Sequence, residues 1–152
     1  MNIRRGEKDE VRKLQELNVK AFVDNPKYDS DYNVDWSLSE DSYKYFTKVL
    51  NDSDSLCLVA EENGQLVGYL SGSTKAAPYW MSKYFEIDNV GVVPEKRHQG
   101  VGSRLMEECY KWAKENGFQK VYVNSYFSNT TALDFYKKNG FVEVDISLEK
   151  NL

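Results

Sequence analysis

The sequence is poor in the residues that build metal centres and disulfide frameworks. Its 152 residues include one histidine and two cysteines, Cys57 and Cys109. These three side chains lack the spacing of a zinc site, so we predict that the protein binds no metal. Both cysteines lie among apolar neighbours, which favours small core residues over nucleophiles or redox partners.

Long apolar runs and an excess of positive charge are also missing. No segment approaches the roughly 20 apolar residues that cross a bilayer, and no apolar stretch follows the first residues as it does in a secretory signal. The formal net charge of −4 argues against a nucleic acid as the main partner. These absences predict a cytoplasmic protein that binds neither membrane nor nucleic acid.

What the sequence does contain is an alternation of extended and helical patterns, which we interpret as a single domain, residues 1–152. Strands and helices in this order imply an α/β fold, a mixed sheet with helices on both faces. In chain order we predict a strand at 1–5, a helix at 7–22, a second helix capped by Ser37 or Ser39, and a hairpin of 56–62 and 65–73. The inner face of the second helix consists of Tyr43, Phe46, Val49 and Leu50. We then predict a strand at 83–93, a helix at 102–116, a strand at 120–126, a helix from Ser128 or Asn129 to Gly140, and a strand at 141–148.

The most informative segment is a basic loop between the strand ending at residue 93 and the helix beginning at residue 102. Two glycines at a helix N-terminus let several backbone N–H groups converge, and such a loop binds phosphate or pyrophosphate. The P-loop lysine and the third glycine of the dinucleotide fingerprint are absent. A tight turn without a ligand is the alternative. The loop consists of Arg97, His98, Gln99, Gly100, Val101 and Gly102.

A second motif follows on the last predicted helix and runs from Asn129 through Ala132, Phe135 and Tyr136 to Gly140-Phe141. The pair Arg/Gln-x-x-Gly-x-Gly and Asn-x-x-Ala-x-x-Phe-Tyr-x-x-x-Gly-Phe resembles the two signatures of the GNAT N-acetyltransferase superfamily. The resemblance extends over residues 1–145, and its specific residues lie between 86 and 141.

The resemblance implies a GNAT fold, a central, mostly antiparallel, twisted sheet of about six to seven strands flanked by four helices. It implies an acetyl-CoA-dependent N-acetyltransferase in which the acceptor amine attacks the thioester directly, without an acyl-enzyme. The acceptor would be a small, cationic primary amine, a lysine side chain or an N-terminal amine. Only twelve residues follow Gly140, where the family usually has two strands, and an exposed edge there would support a homodimer formed by strand addition.

Under this resemblance, acetyl-CoA is held mostly by main-chain groups. The basic loop would bind the pyrophosphate, and the central strand would pair with the pantetheine arm where it parts from its neighbour. Lys137 and Lys138 would meet the 3′-phosphate or form an ordinary solvated helix face. The residues assigned to acetyl-CoA are Val90, Val92, Arg97, His98, Gln99, Gly100, Val101, Gly102, Ser103, Asn129 and Tyr136.

Three residues are candidates for the chemistry. The resemblance assigns Tyr136 as the acid that protonates the leaving thiolate, and a core aromatic beside Phe135 is the alternative. Glu86 is the leading candidate for the base, and Asp88 lies two residues further on the same strand face. Two carboxylates on one face repel each other and raise a pKa, which suits a base. They could instead line a cation pocket, with water relaying the proton.

The acceptor site is expected beside an acidic and aromatic segment. Residues 24–41 contain six carboxylates and one lysine, a formal charge of −5. Such a surface attracts cations by its field and by cation–π contact, although ordinary surface acidity is the alternative. The predicted substrate-binding residues are Tyr28, Tyr32 and Trp36 in this segment, with Tyr79 and Trp80 as an opposite wall.

Two other functions stay open. One is a non-catalytic acyl-CoA-binding module that senses the cofactor or docks a partner. The other is a nucleotide-binding α/β protein that uses the glycine loop for ATP or NAD.

Overall fold

The computed structural model describes residues 1–152, which form one five-stranded sheet flanked by four α-helices. The strands lie in chain order; β1 to β4 are antiparallel neighbours and β5 joins β4 in parallel. The mostly antiparallel α/β sheet expected from the sequence is therefore confirmed. The elements are β1 (Asn2–Arg5), α1 (Val11–Ala21), α2 (Glu40–Asn51), β2 (Ser55–Glu62), β3 (Gln65–Lys75), β4 (Tyr84–Val92), α3 (Val101–Glu115), β5 (Lys120–Val123) and α4 (Thr130–Lys138).

The helices cover both faces of the sheet, as predicted. On one face, the ring of Phe46 in α2 lies 5.7 Å from the ring of Tyr69 in β3. On the other face, Phe85 of β4 lies 5.2 Å from Trp112 of α3. Burial on both sides explains why β2 reads as a continuous apolar run rather than an alternating one. None of the four helices combines the length and apolar character needed to cross a bilayer.

Two helix starts illustrate how side chains set the boundaries. Ser39 caps α2, because its hydroxyl accepts a hydrogen bond from the Ser42 N–H at 3.2 Å. The prediction that α1 begins at Glu7 is wrong, since α1 begins at Val11. The carboxylate of Glu10 accepts the Glu7 N–H at 2.9 Å and pairs with Arg4 at 2.8 Å, which holds residues 7–10 in a turn.

The predicted last strand, residues 141–148, is wrong, and the sheet has five strands instead of six to seven. The alternation of Val142, Val144, Ile146 and Leu148 suggested a strand, but each of these side chains is at least 72% exposed. No layer of the protein covers them, so the pattern has nothing to pack against. β5 also ends at Val123 instead of Tyr126. The outer edge of β5 pairs with no other strand, and dimerisation by strand addition at that edge stays a prediction.

Candidate active site

β4 and β5 separate part of the way along their length. Their last paired residues are Ile87 and Val123, and beyond them no strand covers that edge of β4. The Val93 N–H donates to the Val67 carbonyl at 3.0 Å. Because hydrogen-bonding direction alternates along a strand, Val90 and Val92 direct their main-chain groups toward the open edge. There the Val92 carbonyl already accepts one hydrogen bond, from the Nε of Arg97 at 3.2 Å. An extended ligand bearing amides fits there.

The basic loop, residues 97–102, opens onto this cleft with a row of unpaired donors. The six N–H groups from His98 to Ser103 make no hydrogen bond within the chain; the first to do so is that of Arg104, which bonds to the Gly100 carbonyl at 3.1 Å. No side chain caps α3. Free N–H groups and the positive end of the helix dipole together fit a pyrophosphate.

The two loop glycines have different tasks. Gly100 has a φ of 82°, the left-handed conformation that glycine adopts without strain, and a Cβ there would meet nothing within 4 Å. A Cβ on Gly102 would lie 3.0 Å from the ring of Phe135 in α4. The first glycine shapes the loop beside open space, and the second lets α4 lie close to the start of α3.

Two of the loop side chains, those of Arg97 and Gln99, are engaged elsewhere. The Arg97 guanidinium donates to the Asp24 carboxylate at 2.8 Å and holds the pKa of that carboxyl below its usual value. The Gln99 amide donates to the Glu95 carbonyl at 2.9 Å. His98 has a φ of 60°. The main-chain N–H groups, together with the side chain of His98, are therefore the donors left for a phosphate.

Tyr136 lies on α4, one aromatic ring away from the start of α3. Its ring centroid is 5.3 Å from that of Phe135 and 5.6 Å from that of Phe141. Burial raises the pKa of Tyr136 to about 12, and no hydrogen bond within the chain acts on its hydroxyl. The Oδ1 of Asn129 caps α4 by accepting the Ala132 N–H at 3.1 Å, which leaves its amide N–H groups for a ligand.

Asp88 occupies a β-bulge at the point where β4 leaves β5. Ile87 pairs with Gly72 and Asn89 pairs with Ser71, so Asp88 is the extra residue between them. A bulge redirects side chains locally. Asp88 and Asn89 both reach the Tyr45 hydroxyl from this bulge, and Asp88 stays on the face of Glu86, whose charge acts on its pKa.

The carboxylate of Asp88 accepts a hydrogen bond from the Tyr45 hydroxyl at 2.9 Å. Around that hydroxyl lie the Ser71 Oγ at 2.8 Å and the Asn89 amide nitrogen at 3.2 Å. Desolvation raises the pKa of Asp88, and the bond from Tyr45 opposes that rise. The result is a carboxylate that is held in place and is more basic than an ordinary aspartate.

Glu86 is already paired. Its carboxylate lies 3.0 Å from the Nζ of Lys75, and each side chain is 27% exposed. That Nζ also lies 4.6 Å from the ring centre of Tyr122 and 5.9 Å from that of Trp80. Trp80 stacks on Tyr84 with ring centres 3.9 Å apart.

The aromatic residues of the acidic segment lie against this region. Tyr28 stacks on Tyr126, in the connection from β5 to α4, at 6.3 Å. Trp36 lies 6.0 Å from Tyr45, the partner of Asp88. Tyr32 is half-buried but has no aromatic partner. On the opposite side, Trp80 lies near the ammonium of Lys75, the partner of Glu86, whereas Tyr79 is 80% exposed.

Part of the segment's acidity is neutralised within the protein. Besides Asp24, Glu40 pairs with Lys44 at 3.3 Å. Glu40 and Asp41 also lie in the first turn of α2, where the helix dipole stabilises negative charge. Asp29 accepts a hydrogen bond from the Tyr126 hydroxyl at 2.9 Å. The charge of −5 thus overstates the field available to an acceptor.

Sequence reasoning missed several residues of the site. Tyr43 was expected inside α2, but it is 39% exposed under the guanidinium of Arg12, and Tyr45 points to the site instead. Ser71 did carry a signal, because it is a polar residue in the middle of an apolar strand. The others, Lys75, Tyr122 and Tyr126, carried none.

Comparison with known proteins identifies the family of the chain. Residues 13–141 match the Acetyltransferase (GNAT) family. Streptothricin acetyltransferase A of Bacillus subtilis is 28% identical over 93% of this chain and 91% of its own length. An N-alpha-acetyltransferase of Sulfurisphaera tokodaii is 30% identical over 68% of this chain and 66% of its own. An uncharacterized N-acetyltransferase of B. subtilis, YhfO, is 29% identical over 62% of this chain and 63% of its own length.

Solved structures show the same fold. A single-residue mutant of the BH1408 protein from Bacillus halodurans has a TM-score of 0.84 at 19% identity, covering 100% of this chain and 99% of that one. The aminoglycoside acetyltransferase AAC(6')-Iy, crystallised with a bisubstrate analogue of CoA, has a TM-score of 0.73 at 17% identity, over 99% and 97%. The family match covers most of the sequence, so the chain belongs to the Acetyltransferase (GNAT) family and to its class of acetyl-CoA-dependent acyltransferases.

Proposed function

We propose that the protein transfers the acetyl group of acetyl-CoA to a primary amine of a small cationic acceptor. The observation that carries the proposal is the row of six unpaired N–H groups at the start of α3, beside the open edge of β4. A phosphate-bearing ligand with an amide-bearing arm satisfies both features at once.

The proposed binding mode divides acetyl-CoA between the two sides of the cleft. The N–H groups of His98 to Ser103 hold the pyrophosphate, and the main-chain groups of Val90 and Val92 pair with the pantetheine arm. The Asn129 amide donates to the same arm or to the pyrophosphate. Lys137 is paired with Glu143 at 2.6 Å, which favours the solvated-face interpretation of that lysine over a contact with the 3′-phosphate.

Asp88, rather than Glu86, is the better candidate for the base. Glu86 already neutralises Lys75, while desolvation raises the pKa of Asp88. Asp88 also stands where β4 leaves β5, next to the place where the thioester would lie. Its carboxylate takes one proton from the acceptor ammonium, the amine nitrogen forms a bond with the thioester carbonyl carbon, and the C–S bond breaks to release the CoA thiolate. The second proton that the nitrogen loses passes through solvent to that thiolate.

Tyr136 acts on the departing thiolate. Its pKa of about 12 lies well above that of a thiol, roughly 8.5. Complete proton transfer from Tyr136 is therefore unfavourable, and its main contribution is a hydrogen bond to the negative charge that develops on sulfur. Its hydroxyl has no competing partner within the chain.

A cationic acceptor is supported by the groups around Asp88. Trp36 and Trp80 flank the region, and the charges of Asp31 and Asp35 remain without an ion-pair partner in the acidic segment. Rings and carboxylates of this kind attract ammonium groups. Two similar proteins carry names that point to amine antibiotics, streptothricin and an aminoglycoside, and another is named for α-amines.

The test is thiol release from acetyl-CoA with polyamines, aminoglycosides, amino acids and lysine peptides, with products identified by mass. We expect turnover with a cationic amine, and a loss of about 10- to 100-fold in kcat for Tyr136→Phe at unchanged acetyl-CoA affinity. Tyr110→Phe is the control, since its hydroxyl only donates to the Asn139 carbonyl at 3.0 Å.

Unchanged kcat in Tyr136→Phe would remove the tyrosine from the mechanism. Acetyl-CoA binding without thiol release from any amine would contradict the transferase proposal and favour the acyl-CoA-binding module. Displacement of CoA by low concentrations of ATP would favour a nucleotide-binding protein.

A further inference from the structure

The ammonium of Lys75 lies in a pocket that has the composition of an ammonium-binding site. A carboxylate, that of Glu86, contacts it at 3.0 Å. Two aromatic rings, Tyr122 at 4.6 Å and Trp80 at 5.9 Å, surround it within cation–π range. The pKa of Lys75 is raised, mainly by the hydrogen bond to Glu86, so this lysine carries its charge at neutral pH.

The groups of the pocket come from three adjacent strands and from the β3–β4 connection, which carries Trp80. Glu86 lies opposite Tyr122 across the parallel pair of β4 and β5. Lys75 is the last residue of β3 and lies opposite Tyr84, on which Trp80 stacks. The protein's own lysine thus occupies the cation position, and its partner Glu86 lies two residues along β4 from Asp88.

We propose that Lys75 is a specificity-determining residue, whose ammonium fills the cation pocket of Glu86, Tyr122 and Trp80 and so excludes acceptors that place a second positive charge there. The inference rests on the proposed function, because it takes the region of Asp88 as the acceptor site. It goes further in assigning a role to Lys75 and a chemical class, alkyl diamines, to the ligands that the pocket would otherwise bind.

The chemistry explains the direction of the effect. With Lys75 in place, Glu86 is neutralised and a second ammonium meets a like charge. Without the lysine ammonium, the carboxylate and the two rings remain, and a free alkylammonium can take its position. Lys75→Met removes the charge while keeping a long, unbranched side chain, and Lys75→Arg keeps the charge.

The kinetic test compares butylamine with 1,4-diaminobutane, which differ by one ammonium. In Lys75→Met, we expect the ratio of the diamine KM to the monoamine KM to fall about tenfold relative to the unmodified protein. The ratio cancels any effect of the lost charge on Asp88, because both amines share that effect. In Lys75→Arg the ratio should stay as it is. An unaltered ratio in Lys75→Met would overturn the proposal.

A binding test separates failure of this inference from failure of the proposed function. With the protein saturated in CoA, 1,4-diaminobutane should raise the melting temperature of Lys75→Met more than butylamine does, and the difference should vanish in Lys75→Met/Glu86→Gln. This readout requires no turnover. If no amine is acetylated but the diamine effect is present, the pocket stands and the transferase proposal fails. If amines are acetylated and the diamine effect is absent, the role of Lys75 is refuted.

Discussion

Residues 1–118, the body, and residues 119–152, the C-terminal part, differ in how they are held. Every buried residue of the hydrophobic core cluster belongs to the body, and the last of them is Phe118. α4 contains no fully buried residue, although Phe135 and Tyr136 are partly buried, and residues 141–152 form no helix or strand. The C-terminal part is attached by the four-residue strand β5 and by aromatic contacts such as that of Phe135 with Gly102.

The body carries the hydrophobic core, and the C-terminal part completes the proposed site. The proposed acetyl-CoA cleft lies on the boundary, because the open edge of β4 and the N–H row belong to the body while Tyr136 and Asn129 belong to the C-terminal part. A ligand that bridges the boundary stabilises the weaker side by mass action. The body therefore contains most of the buried apolar surface that stabilises the fold, and the C-terminal part contributes less of it.

The strongest test of the contrast compares two phenylalanines. Phe85→Ala should lower the free energy of unfolding by about 3–5 kcal/mol, because the ring is fully buried between α3 residues and Phe118. Phe127→Ala should change it by less than about 0.5 kcal/mol, since that ring is 85% exposed. Urea denaturation measures both, and similar losses would contradict the division.

Two glycines sharpen the comparison at the boundary. Gly100 and Gly117 have φ values of 82° and 78°, and a Cβ on either meets nothing within 4 Å. Alanine at either position should destabilise the protein by about 1 kcal/mol through backbone strain. Only Gly100→Ala should weaken acetyl-CoA binding, by about tenfold, because the strain falls on the N–H row.

Calorimetric titration with acetyl-CoA measures this difference, and Gly117→Ala is the matched control at the far end of α3. Equal affinities of the two variants would remove the loop from the cofactor site.

The smallest expected effect concerns Tyr45, which lies in the body on the acceptor side of the boundary. Tyr45→Phe removes a hydrogen bond to the Asp88 carboxylate, so the pKa of Asp88 should rise further. A base works when deprotonated, and activity is lost as pH falls through its pKa. The acidic limb of kcat/KM should therefore move to higher pH, by roughly half a unit to one unit.

Tyr43→Phe, on the same helix but under Arg12, should leave the limb in place. Glu86, Lys75 and Lys48 are the other charges that act on Asp88, and both variants keep them. An unshifted limb in Tyr45→Phe would argue that Asp88 is not the base.

Local patterns predicted the parts of the protein whose structure is local. The hairpin of 56–62 and 65–73 and the loop before α3 were readable, and two helix starts were narrowed to a pair of capping residues each, Ser37 or Ser39 and Ser128 or Asn129. Each of these features depends on neighbours in sequence. The last strand was misread because alternation shows only that one face of a segment is apolar. It cannot show that another layer is there to cover it.

The sequence predicted which positions contribute to the candidate site, but not which side chains contact one another there. The sequence placed Glu86 and Asp88 on one strand face, and it could not show that Glu86 meets Lys75 while Asp88 meets Tyr45. Tyr45 and Asp88 are 43 residues apart, and Arg97 and Asp24 are 73 apart. Contacts over such separations depend on how helices pack on the sheet.

The sequence by itself determined the family, the α/β architecture and the position of the loop that we propose for the phosphate, because motif spacing and backbone preferences are properties of short segments. Only the tertiary structure decided which carboxylate is free. Glu86 meets Lys75 from β3 and Asp88 meets Tyr45 from α2, and the basicity of each follows from charges and desolvation that other elements bring to it.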